Sequence, residues 1–125
     1  MADSPTQHRP LTADEYALIK FMLEHADEPA ASFVTQLDRA RVTPWRCPCG
    51  CASFNIEVEG MPEPTGGMTP LADFTFGSNA NPCGIFPYAR NGVLAGVEVV
   101  GYGIDAPKML PTIGSLQIAG QPAAG

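Results

Sequence analysis

A chain of 125 residues is the usual size of one domain and long enough to bury one core. Hydrophobic residues make up 45% and charged residues only 16%, which excludes a disordered chain, whose low apolar content cannot offset the entropy of ordering. Net charge is −6, from 13 carboxylates against 7 Lys and Arg, and this argues against a nucleic-acid partner, because such binding relies on basic side chains displacing counterions from phosphate.

Residues 1–10 are polar, hold Pro5 and Pro10, and read as a flexible leader. They lack the basic-then-apolar order of a signal peptide, and no apolar run is long enough to span a bilayer. The expected location is therefore cytoplasmic, with no membrane partner and with reduced cysteines.

Order is expected from Leu11. Thr12 and Glu15 have the spacing of a capping box, and Leu18, Ile19, Met22, Leu23 and Ala26 recur at helical spacing, predicting a helix over about 13–26. Asp27-Glu28-Pro29 marks a stop and a fresh start, followed by a second helix over about 30–40 with Phe33, Val34 and Leu37 as its apolar stripe.

Beyond residue 50 the pattern has period two. Phe54, Ile56 and Val58 alternate with Asn55, Glu57 and Glu59, and Ala72, Phe74 and Phe76 alternate with Asp73 and Thr75. The Gly- and Pro-rich stretch 60–70 between them predicts a mobile loop. Asn91-Gly92 predicts a hairpin that pairs Tyr88 with Ala95 and Phe86 with Val97, and Pro87 suggests a strand at an edge. A short strand near 115–118 and a loose tail over 119–125 complete the chain. The expected fold class is α+β, with two N-terminal helices packed on one face of an antiparallel sheet of about four strands, in a single domain over 11–118.

Chemistry is most visible in Cys47-Pro48-Cys49-Gly50-Cys51, with Cys83 downstream. Four thiolates can complete a tetrahedral zinc site, although paired cysteines two to four residues apart are the usual arrangement. In extended backbone Cys47 and Cys51 share a face while Cys49 turns away, unless Gly50 bends the chain. A redox role for these thiols is favoured only by the adjacent Arg46, and the segment lacks the two-residue spacing of thioredoxin-like motifs. Cysteine catalysis would need a base, and the only histidines are His8, in the leader, and His25, at the end of the first helix, where it suits the helix dipole.

Glu57, Glu59 and Glu63, with Met61 and Met68 in the 60–70 loop, form a candidate surface for a protein partner, since ten of the 13 carboxylates lie in residues 1–64. Trp45 reads as core rather than as an interface anchor.

The motifs Leu11-Thr12-Ala13-Asp14-Glu15, Cys47-Pro48-Cys49-Gly50-Cys51-Ala52-Ser53 and Gly96-Val97-Glu98-Val99-Val100-Gly101-Tyr102, followed by Leu110-Pro111, resemble a loosely defined group of small uncharacterised bacterial proteins. Size and acidity also give the chain some likeness to the small immunity proteins that neutralise bacterial toxins. That likeness implies a non-enzymatic protein-binding protein of immunity or antitoxin type, engaging a basic partner. The alternatives are a zinc-stabilised small module built on Cys47, Cys49, Cys51 and Cys83, and a small cysteine-dependent enzyme.

Overall fold

Helix α1 (Ala13–Glu24) starts where its capping residues place it: the Thr12 hydroxyl accepts the Glu15 N–H at 3.1 Å and the Glu15 carboxylate accepts the Thr12 N–H at 2.8 Å. In this computed structural model the described residues are 8–26 and 30–118. Residues 1–7 of the leader expected over 1–10, the tail over 119–125 and the break at 27–29 lie outside them. Among the described residues, no helix is long and apolar enough to cross a membrane.

Arg9 and Pro10 already form strand β1, paired with strand β2 (Ala40–Val42). The Arg9 guanidinium holds both oxygens of Glu15, each at 2.9 Å, so the first strand is tied to the first turn of the helix. The second helix is shorter than predicted. It consists of a 3₁₀ turn (Ala30–Phe33) and one turn of α-helix, α2 (Val34–Leu37). Ala40 and Val42 are buried either side of exposed Arg41, a period-two pattern that suits a strand better than a helix end.

The fold class differs from the expected four-stranded α+β arrangement. The chain is mostly one large antiparallel sheet. Further strands are β3 (Phe54–Val58), β4 (Thr69–Pro70), β5 (Phe74–Gly77), β6 (Pro82–Arg90), β7 (Val93–Gly101) and β8 (Gln117–Ile118). Seven lie side by side in the order β1-β2-β3-β7-β6-β5-β8, and β4 pairs with β6. The short strand expected near 115–118 is β8, and the added strands β1 and β4 are two residues long, too short to show any periodicity in sequence.

The Asn91-Gly92 turn forms as predicted, with φ of +51° and +77°. Pairing counted outward from it holds for Arg90↔Val93 and Ala89↔Leu94, but a bulge then shifts the register to Tyr88↔Gly96, Pro87↔Val97 and Phe86↔Glu98. A one-residue slip exchanges faces, so Ile85 and Pro87, rather than Phe86 and Tyr88, share a face with Val97 and Val99. Tyr88 turns its hydroxyl to Asn55 Oδ1 at 2.9 Å. Nor is β6 an edge: β7 lies on one side, and β5 and β4 follow each other on the opposite side. Pro87 accepts the Leu71 N–H at 2.8 Å, so its donorless nitrogen faces the gap between β5 and β4, where no ladder bond is lost.

Leu18, Ile19, Met22 and Leu23 of α1 join Leu37, Phe54, Ile56, Val58, Phe74, Ile85, Leu94, Val97 and Val99 in one buried core. The Gln36 side chain fastens α2 to the hairpin, donating to the Gly92 carbonyl at 3.0 Å and accepting the Leu94 N–H at 2.7 Å. The 60–70 segment is held over the same hairpin by β4 and by the Arg90 guanidinium on the Gly66 carbonyl.

Burial alone would raise the Glu15 pKa, but hydrogen bonds from Arg9 and Thr12 hold it below its ordinary 4.5. Its contribution to stability is therefore fully present above about pH 4.5 and is lost as pH falls through the lower folded value. Urea midpoints at pH 7 and pH 3 should differ less in Glu15→Gln than in the parent. Thr12→Ala should cost roughly 1 kcal/mol at pH 7, the usual worth of an N-cap side chain.

Candidate metal centre

Between β2 and β3 the chain makes an excursion that continues the ladder for one residue, Thr43 N–H to the Asn55 carbonyl at 3.0 Å, and then leaves the sheet. Pro48 and Gly50 fold the excursion back. The Gly50 N–H reaches the Cys47 carbonyl at 2.9 Å, and Gly50 sits at φ +81°, a conformation that favours glycine. The alternation of faces expected for extended backbone therefore does not apply. The Sγ atoms of Cys47, Cys49 and Cys51 all lie within 4.8 Å of one another, close enough to bind a metal ion, with Cys47 and Cys49 at 2.9 Å.

Cys83 does not join them. It is buried on β6, paired across the ladder with Gly101, and its thiol is directed to the Asn81 carbonyl at 3.6 Å. In that role it is a small core side chain. The candidate ligand set among the described residues is thus three cysteines, with Cys49 exposed and Cys47 and Cys51 half-buried.

Ser53 anchors the cluster to the sheet. Its hydroxyl accepts the Val99 N–H at 2.9 Å, filling a ladder position at the start of β3, and lies 3.3 Å from the Cys51 Sγ. Burial opposes ionisation of Cys51. Hydrogen bonding with the Ser53 hydroxyl and backbone and with the neighbouring thiols outweighs it and brings Cys51 from its ordinary 9 down to about 7. Hydrogen bonds with Cys47 and Cys51 push Cys49 up to about 11. Metal ligation demands thiolates, and this cluster releases its first proton near neutrality.

A cleft of about 390 Å³ opens beside the thiols, with Trp45, Arg46, Lys108 and Leu110 among its walls. Lys108 is brought there by a hydrogen bond from the Ala52 N–H to the Pro107 carbonyl at 2.9 Å. Its Nζ lies 3.7 Å from where a Cβ on Gly50 would stand. Trp45, expected in the core, is 43% exposed and forms part of a second cleft of about 340 Å³ as well.

Glu57 faces Arg41 across the β2–β3 ladder and its Oε1 lies 3.0 Å from His8 Nε2, while Met61 packs against the core. Glu59, Glu63 and Met68 are exposed. Glu63 lines the second cleft with Glu57. His25 ends α1, where its Nδ1 meets the Phe21 carbonyl at 2.9 Å and its ring stacks on Phe21. Ser53 and Lys108 escaped the sequence reading: Ser53 follows the motif by two residues but carries no ligand chemistry, and nothing in the sequence links residue 108 to residue 50.

Fold and site together define an antiparallel-sheet protein with a three-thiol cluster on its surface. Comparison with protein-family models, curated proteins and solved structures finds no match. The likeness drawn from the short motifs rests on those motifs alone.

Alkylation proceeds through the thiolate, so in metal-free protein Cys51 should react with iodoacetamide along a curve that rises through about pH 7, well before Cys49. Ser53→Ala should move that midpoint upward, as read by mass-spectrometric mapping of each cysteine.

Proposed function

We propose that this chain is a metal-binding protein that holds zinc through Cys47, Cys49 and Cys51. The observation that carries the reading is the convergence of three Sγ atoms within 4.8 Å at the surface. Thiolate sets select soft and borderline ions, and in a tetrahedral zinc site with Zn–S of about 2.3 Å the sulfurs stand roughly 3.8 Å apart. Opening the 2.9 Å Cys47–Cys49 contact by about that difference requires only side-chain rotation in a turn where Cys49 is exposed.

Three protein ligands leave one position open, whereas structural zinc sites are closed by four. The apolar core is formed by α1, α2 and the sheet without any of the three cysteines. The centre is accordingly an exchangeable site on a self-sufficient scaffold, rather than the four-cysteine staple that zinc stabilisation of the module would need. An immunity-type role on an acidic face has less support, because Glu57 already contacts His8 and stands opposite Arg41 in the β2–β3 ladder.

Metal analysis after zinc loading and desalting should give close to one zinc per chain. Cys49→Ser and Cys51→Ser should each weaken binding at least ten-fold in a chelator competition, and Cys83→Ser should leave it unchanged. Removing the zinc should leave the far-ultraviolet circular dichroism spectrum intact. A loaded stoichiometry near zero would remove the proposal.

A further inference from the structure

We propose that the open position of the three-cysteine centre is completed by a small organic thiol bearing a carboxylate, its sulfur on the metal and its carboxylate held by Arg46 and Lys108. The inference rests on the metal-centre reading above. Its first support is the cleft itself, whose volume of about 390 Å³ is that of a small-molecule site and too small for a folded partner.

The second support is charge. The chain is acidic, with net charge −6 and only seven Lys and Arg, yet three of those seven, Arg9, Arg46 and Lys108, line this one cleft. Arg9 is engaged by Glu15. Among the described residues, Arg46 and Lys108 form no ion pair. Three thiolates around a divalent ion carry net charge −1, and a fourth anionic sulfur makes the centre −2, a state that neighbouring cations favour. The Ala52–Pro107 hydrogen bond brings the Lys108 segment against the cysteine turn, and the Lys108 Nζ stands 3.7 Å from where a Cβ on Gly50 would lie, so one cation is placed beside the thiols.

The third support is the remaining wall. Trp45 and Leu110 offer apolar surface to the carbon chain that joins a sulfur to a carboxylate. A soft thiolate-bound ion prefers a further sulfur to oxygen, while guanidinium and ammonium groups prefer the carboxylate, so the two ends of such a molecule are sorted by chemistry. As the sulfur bonds to the metal, the thiol proton passes to solvent and no oxidant is required.

The test uses the full chain loaded with cobalt(II), whose sulfur-to-metal absorption reports each thiolate bound. Before any thiol is added, the bands of three protein thiolates should be present. Titration with 3-mercaptopropionate should then raise the absorption at a half-saturation roughly ten-fold lower than titration with 2-mercaptoethanol, the worth of about one charge-assisted hydrogen bond. The double variant Arg46→Gln, Lys108→Gln should keep the starting bands and lose the preference. Equal half-saturation for the two thiols, no rise with either, stripping of the cobalt, or a preference that survives in the double variant each overturns the inference while the three-cysteine centre stands. Absence of the starting bands overturns both.

Discussion

Burial of one face of the central strands β3, β7 and β6 against helix α1 is the interaction on which the rest of the molecule depends. Ile19, Met22 and Leu23 meet Ile56, Ile85, Val97 and Val99 in a single core, and each fully buried side chain of this kind is worth about 1.5–3 kcal/mol relative to exposure. Because that face is dry, the register of β3 on β7 has no freedom to slip, since a shift of one residue would turn Phe54, Ile56 and Val58 to solvent. A fixed β3 fixes Ser53 at its start, and Ser53 fixes Cys51.

Much of this frame was legible. The Thr12–Glu15 box, the α1 stripe, the alternation through β3 and the Asn91-Gly92 turn are local signals with local causes, and all four took effect where they were read. The misreadings share a physical origin, in that distant contacts overrode local pattern. Two-residue strands β1 and β4 exist only because a neighbouring strand offers hydrogen bonds. The bulge beside Tyr88 reassigns the faces of a hairpin whose turn was correctly placed. Ala40–Val42 follow a helical stretch in sequence but answer to β3 in space.

The cysteine cluster was half legible. Thiol chemistry identified Cys47, Cys49, Cys51 and Cys83 as candidate ligands despite their unusual spacing, and Gly50 as the residue able to bend the first three together. Cys83 shared their chemistry but not their location, because its place in β6 directs it to the core. Lys108 became a neighbour only through the hydrogen bond between Ala52 and Pro107, a contact across 55 residues that no periodicity encodes. The division is instructive: donor types are written in sequence, while the charges around them are set by tertiary structure.

The exposed indole of Trp45 has a further consequence. It is the chain's single tryptophan, and it stands in the wall shared by the two clefts, a short way along the backbone from the first thiol. Its fluorescence comes from one place, without the averaging over several emitters that blurs most proteins' spectra. Whatever enters either recess changes the polarity around that ring, so the molecule carries an optical gauge of its own occupancy and needs no dye.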